Sequence, residues 1–162
     1  QDLAALTIHG RLAAEMSHFP ARWEEIARVV ALRDAHAPAT RIIGNGDVTS
    51  HADGLDKVRR YGVDGVMVGR GIFKNLWLFD PQIDPAAVPL DARLALLTEH
   101  LRLWQATWAG QKNFDSLKKF YKCYFAGVPD AADLQQDLMM LHTADETLAR
   151  IEAARAVAPG RA

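Results

Sequence analysis

The sequence predicts an α/β fold with a parallel sheet, followed by an all-helical unit. Three observations carry that reading. Short apolar runs end abruptly in glycine and polar residues at His9-Gly10-Arg11, at Ile42-Ile43-Gly44-Asn45-Gly46-Asp47 and at Val66-Met67-Val68-Gly69-Arg70-Gly71. Buried parallel strands end in this way when each delivers a loop to the rim of a sheet. A helical pattern lies between consecutive runs, and beyond a proline-rich stretch only helical patterns follow.

The elements follow in order. A strand is expected over 3–8. From Pro20 onward Trp23, Ile26, Ala27, Val30 and Ala31 recur at i, i+3, i+4, i+7 and i+8, which gives one apolar stripe, with Glu24, Glu25, Arg28 and Arg33 largely off it. A second strand covers 41–44. Ser50 then caps a helix with Asp53 three residues on, Leu55 and Val58 face inward, and Gly62 is placed to stop it. A third strand covers 65–69, and Ile72, Phe73, Leu76, Trp77 and Phe79 make a short apolar helix after it. Pro81, Pro85 and Pro89 mark a domain boundary, giving 1–84 and 90–162. The second part reads as helices over 90–108, 115–125, 131–141 and 143–156, a small bundle. Gly127-Val128-Pro129-Asp130 is a turn, Asp145 and Glu146 suit a helical first turn, and the Ala-rich tail from Ala153 is expected to fray.

Composition is that of an ordinary globular chain: 162 residues, 49% hydrophobic, net charge −1. No apolar run approaches the roughly 18 residues of a membrane span, and Gln1-Asp2-Leu3 opens neither a basic nor an apolar leader. No membrane association, signal peptide or anchor is therefore expected. Cys123 is the single cysteine, which rules out an intrachain disulfide or multi-cysteine metal site and fits a reducing cytoplasm. His18, His36, His51, His100 and His142 lack ligand spacing and read as surface residues, so no metal is expected. Trp23, Trp77, Trp104 and Trp108 fall on helical stripes and read as core.

The second and third rims together have the chemistry of a phosphate site. Glycines let backbone N–H groups approach an anion, a helix N-terminus adds partial positive charge, and Arg70 supplies a full one. In (β/α)8 barrels the loops after the seventh and eighth strands form such sites. Taken alone, Asn45-Gly46-Asp47 is an ordinary strand-to-helix turn with Asp47 or Ser50 capping, and His9 a satisfied rim histidine.

Thr7-Ile8-His9-Gly10-Arg11, Ile43-Gly44-Asn45-Gly46-Asp47-Val48, Asp64-Gly65-Val66-Met67-Val68-Gly69-Arg70-Gly71-Ile72-Phe73 and Trp77-Leu78-Phe79, in this order, resemble the tRNA-dihydrouridine synthase family from its sixth barrel strand onward. Lys118-Lys119-Phe120-Tyr121-Lys122 with Gly127 resembles that family's C-terminal helical domain. Leu12, where the family often has Thr, and Leu76, where it usually has Pro, bear on the subgroup.

The resemblance implies the C-terminal part of a TIM barrel, about strands 6–8, over 1–84, followed by a helical tRNA-binding-type domain over 90–162. It implies a cytoplasmic flavoprotein that reduces uridine to 5,6-dihydrouridine in tRNA, with FMN as cofactor and NADPH as reductant. The backbone of Asn45, Gly46 and Asp47 and of Gly69 and Arg70 would cradle the FMN phosphate. His9 would lie near the flavin ring or its phosphate and the incoming base, and Arg11 would be either a supporting cation behind the ligand contacts or a substrate-side one. The family's proton-donating cysteine, its flavin-contacting lysine and the N-terminal half of the barrel would lie upstream of Gln1; Cys123 reads as a buried, inert thiol.

Lys112, Lys118, Lys119 and Lys122 interleave with Phe114, Phe120, Tyr121 and Tyr124, and on a helix Lys118 and Lys122 share a face suited to phosphates. Residues 90–162 hold nine Lys/Arg and nine Asp/Glu, however, so a solvated charged face is the plain alternative. Two other functional readings stay open: a catalytically incomplete module that binds tRNA or a complementary half, and another flavin-phosphate-binding barrel oxidoreductase.

Overall fold

The apolar runs do form parallel strands. In the computed structural model, which describes residues 3–15, 18–129 and 131–157, the chain divides into two compact units, Gln1–Gln82 and Ile83–Ala162.

In the first unit β1 (Ala5–His9), β2 (Arg41–Asn45) and β3 (Gly65–Met67) form a three-stranded parallel sheet in the order β1-β2-β3. Leu6 pairs with Ile42, His9 with Asn45 and Asn45 with Met67, so the three strands end level with one another. The crossovers are α1 (Trp23–His36) and α2 (His51–Tyr61). Trp23, Ile26 and Val30 of α1 pack with Ile42, Val48 and Val63 as the buried core, and Ile8, Val58, Tyr61 and Val66 pack around it. By the alternation of a strand, Thr7, His9, Ile43, Asn45 and Met67 lie on the face away from these helices.

The ends of α2 are set by sequence. Ser50 Oγ accepts from the Asp53 N–H at 3.0 Å, Asp53 accepts from the Thr49 N–H at 2.9 Å, and Gly62 closes the helix at φ +70°. Its inner face differs from expectation. A Cβ at Gly54 would lie 3.1 Å from Val66 Cγ2, so the helix approaches the sheet at Gly54, and Val58 and Tyr61 continue that stripe. Leu55, one residue round the helix, is turned out and 51% exposed. Ala31 is exposed as well, whereas Arg33 points inward and its guanidinium lies 2.6 Å from Asp64.

β3 stops at Met67 rather than at Gly69, because its partner β2 ends at Asn45. The expected apolar helix is instead one 3-10 turn, Arg70–Phe73, followed by a turn in which Asn75 Oδ1 accepts from the Trp77 N–H at 2.9 Å. That side chain caps a turn and ends the regular structure; Leu78 is buried while Phe73 and Phe79 remain exposed.

The second unit holds α3 (Leu90–Trp108), α4 (Asp115–Lys118), α5 (Tyr121–Phe125), α6 (Ala132–Met140) and α7 (Ala144–Val157). Leu94, Leu97 and Leu101 of α3 form a stripe buried with Tyr121, Leu138 and Ile151. α7 begins with a capping box: Thr143 Oγ1 accepts from the Glu146 N–H and Glu146 Oε2 from the Thr143 N–H, at 3.2 and 3.1 Å. The helix expected over 115–125 is broken between Lys118 and Tyr121. Helix continues from Ala153 to Val157, where fraying was expected; the remainder of that tail, and Asp130 of the expected turn, lie outside the described residues. No described helix is long and apolar enough to cross a membrane.

Candidate functional site

Because the strands are parallel and level, their C-terminal ends bring three separate loops to one place. Asn45 ties them. Its carbonyl accepts from the Gly10 N–H at 3.0 Å and lies 3.2 Å from His9 Nδ1, while its side-chain amide donates to the Met67 carbonyl at 2.8 Å. One residue on β2 thus holds the ends of β1 and β3.

Gly46 follows at φ +132°, where a Cβ would lie 2.5 Å from Ala21 Cβ, so only glycine fits. Its carbonyl accepts from the buried Trp23 Nε1–H at 3.0 Å. Asp47 has φ +49°, the one positive φ among the described non-glycine residues. Asp47 Oδ2 accepts from Arg11 at 2.5 Å and from the Ala21 N–H at 2.8 Å. Burial would raise its pKa, but Arg11, the Ala21 N–H and the charge of Arg70 outweigh that and hold the carboxyl below the usual range. The second and third rims also touch. A Cβ on Gly71 would lie 2.2 Å from the Val48 carbonyl oxygen, so the 3-10 turn packs directly on the loop after β2.

The result is a cavity of about 730 Å³ lined by His9, Arg11, Asn45, Gly46, Asp47, Val48, Thr49, Gly69, Arg70, Gly71 and Lys74. All six residues expected at the cofactor, His9, Asn45, Gly46, Asp47, Gly69 and Arg70, line it together. Arg11 lines it too, but its side chain is only 4% exposed and is bonded to Asp47 and to the Phe19 carbonyl. Of the two roles expected for it, these contacts fit the supporting one: Arg11 fastens the loop. Lys74 escaped the sequence reading although its signal was available: it stands four residues after Arg70, about one helical turn on. Three cations and one carboxylate give the cavity a positive balance suited to an anion.

The lysines expected as a strip in the second unit are not brought together. Lys118 is buried and lies 2.7 Å from Asp115, and the break after it removes the shared helical face with Lys122. Lys119 lies over the Phe120 ring at 4.9 Å, and both Lys119 and Lys122 are exposed. His100 is likewise no surface residue. It is half-buried with Nδ1 2.8 Å from the Tyr124 hydroxyl, and burial lowers its pKa while raising that of Tyr124 to about 12. Cys123 is buried and its thiol is pushed up by desolvation. Trp23 is core, whereas Trp108 is 37% exposed beneath Lys112. Among the described residues no cluster of His, Cys, Asp and Glu could hold a metal ion.

Residues 3–158 match the family model for dihydrouridine synthase. The chain is 39% identical over 140 residues to the "Probable tRNA-dihydrouridine synthase" of Staphylococcus epidermidis strain RP62A, covering 86% of this chain and 42% of that protein. It is 38% identical over 153 residues to the protein of the same name from Staphylococcus aureus strain MRSA252, and 37% identical over 153 residues to the "Probable tRNA-dihydrouridine synthase 2" of Bacillus subtilis strain 168. Each of these two matches covers 94% of this chain and 46% of the relative. The chain thus spans less than half the length of the curated relatives it matches, and it belongs to the dihydrouridine synthase family.

Proposed function

We propose that this chain forms the C-terminal portion of an FMN-dependent tRNA-dihydrouridine synthase. Residues 1–84 would supply about the last three βα units of a TIM barrel, and residues 90–162 a helical tRNA-binding part. The observation that carries the reading is the meeting of two glycine rims, Gly46-Asp47 and Gly69-Arg70-Gly71, in one positive cavity at the C-terminal ends of parallel strands.

The residues present fit the phosphate end of FMN. A Cβ at Gly69 would meet nothing within 4 Å, which leaves its backbone open to a ligand, and the Arg70 charge is felt at Asp47 across the rim. The backbone of Asn45, Gly46, Asp47 and Gly69, with Arg70, would hold the phosphate. His9, anchored against the Asn45 carbonyl, would lie toward the flavin ring. The chemistry supplied by bound FMN is hydride transfer to the 5,6 double bond of a uracil base, with NADPH as the source of reducing power.

The chain's own contribution is orientation and charge. Arg11 and the Ala21 N–H fix Asp47, Trp23 fixes Gly46, and Asn45 keeps the three strand ends level, so the donors stand preorganised. Cys123 is buried in the helical unit with its thiol raised by desolvation, and it is not assigned as the proton donor to the base; the resemblance would put that donor on an earlier part of the family's barrel. In the helical unit the exposed Lys119 and Lys122 are the proposed phosphate contacts, without Lys118.

Titrating FMN into the flavin-free full-length protein that carries this sequence, and following flavin absorbance and fluorescence, tests the reading. A shifted spectrum with saturable binding is expected, together with salt-sensitive binding of tRNA. Retained tRNA binding without any flavin shift would favour a binding module instead. Flavin binding without tRNA affinity at low salt would favour an oxidoreductase acting on a small molecule.

A further inference from the structure

The loop after β2 is held from behind at both of its ends, and both attachments run to one lysine of α2. Asp53, Lys57 and Tyr61 stand at i, i+4 and i+8 and so share one face of that helix. Lys57 Nζ forms an ion pair with Asp53 Oδ1, and the lysine side chain is only 15% exposed. The other oxygen of that carboxylate accepts from the Thr49 N–H at 2.9 Å and from the Thr49 hydroxyl at 3.3 Å. Burial would raise the Asp53 carboxyl, but Lys57 and the Thr49 N–H outweigh it and hold the group below the ordinary carboxylate value, as a charged acceptor. The same ammonium lies 5.4 Å from the centroid of the Trp23 ring, which Tyr61 flanks at 5.6 Å. Trp23 Nε1 in turn donates to the Gly46 carbonyl at 3.0 Å. Gly46 and Thr49 both line the cavity, whereas Trp23, Lys57 and Asp53 do not.

We propose that Lys57 is a positioning residue: its ammonium clamps both ends of the 46–49 loop, Gly46 through the indole and Thr49 through the carboxylate, and so keeps the loop in the shape that meets the cofactor. That the loop meets a flavin rests on the reading above, whereas the clamp acts on the loop whether or not a ligand is bound. A cation attracted to the negative face of an indole holds the ring in place, which fixes where its edge N–H points. The ion pair fixes Asp53 in the same way, with one oxygen on Lys57 and the other aimed at Thr49. Both effects need positive charge at one point. A single neutral substitution therefore releases both ends, while arginine, which pairs with carboxylates and stacks on aromatic faces, retains them. Arg59 supplies the contrast, because it is exposed on the same helix and faces Asp56 at 3.8 Å.

The test uses the flavin-free full-length protein that carries this sequence, with Lys57→Met, Lys57→Arg and Arg59→Met. Hydrogen exchange of the Trp23 indole N–H and the Thr49 amide is followed by NMR, with the Val30 amide of α1 as reference, and FMN affinity by fluorescence titration. Lys57→Met is expected to speed exchange at Trp23 and Thr49 by roughly tenfold relative to Val30, the scale of one charge-assisted hydrogen bond, and to weaken FMN by about threefold to tenfold. Lys57→Arg is expected to restore both, and Arg59→Met to leave both unchanged. Exchange that stays parental at either site overturns the clamp. Equal acceleration at Val30 also overturns it, since Lys57 would then contribute only general stability. Faster exchange at both sites with parental FMN affinity overturns the positioning role while the flavin reading stands. If the parent itself binds no flavin, the flavin reading falls, and calorimetric titration of inorganic phosphate follows the loop in the same variants. Parental phosphate affinity in Lys57→Met then overturns the role, and a loss that Lys57→Arg restores upholds it.

Discussion

Trp23 Nε1 donates to the Gly46 carbonyl at 3.0 Å, so the indole that fills the core beneath the sheet also holds the loop that crosses its rim. The same ring lies so close to β2 that a Cβ on Gly44 would be 2.4 Å from it. Core packing and site geometry are one set of contacts here.

Two replacements of Trp23 should therefore separate. Trp23→Ala removes a side chain that is 96% buried and should cost about 3–5 kcal/mol in urea unfolding. Trp23→Phe keeps most of the apolar volume but leaves the Gly46 carbonyl without its donor, which should cost about 1–3 kcal/mol. Its FMN affinity should fall as well, measured by titration below the unfolding range. A Phe variant with parental FMN affinity would show that the loop holds itself.

Gly71→Ala forces a methyl into the Val48 carbonyl, a backbone contact that has no rotamer to retreat into. The rims must separate. A loss of about 1–3 kcal/mol is expected from denaturation midpoints, with weaker flavin binding in the same variant.

Asp64 predicts the acid limb. Its carboxylate accepts from the Ile42 N–H at 2.8 Å and from Arg33 and Arg41 at 2.6 and 2.9 Å, and these hold its pKa well below the ordinary carboxylate value. A depressed folded pKa means that the unfolded chain binds protons first. The contribution is thus fully present above about pH 4–5 and lost as the pH falls through that range and below. Urea midpoints of the parent and Asp64→Asn should differ at pH 7, with a gap that starts to narrow below about pH 4 and continues to narrow as the pH falls further. A gap independent of pH would refute the assignment.

In the helical unit the lysines should divide by burial. Lys119→Gln and Lys122→Gln should each weaken tRNA binding and lower the salt slope by about one, with the melting temperature unchanged. Lys118→Gln should instead lower the melting temperature, because it replaces a buried ammonium paired with Asp115 by a neutral amide and removes that ion pair.

The order of strands and helices, the Ser50 cap, the Gly62 stop and the two glycine rims were legible in the chain, because each depends on residues within a few positions of one another. Local chemistry also foretold the buried thiol of Cys123 and the first-turn acids of α7, Asp145 and Glu146. Distant contacts were not legible. Leu55 faces out because Gly54 makes the close approach to Val66; Arg33 faces in because Asp64, thirty-one residues away, meets it; and Lys118 is withdrawn because the helix breaks and Asp115 captures it.

For the site, the sequence by itself determined which residue types stand at each strand end, and therefore that anion chemistry belongs there. Only the tertiary structure decided how the charges are spent. Side-chain pairing depends on distances across the sheet that sequence spacing does not encode. It chose between the two roles open to Arg11 by pairing it with Asp47, and it brought Lys74 into the cavity that Arg70 also lines.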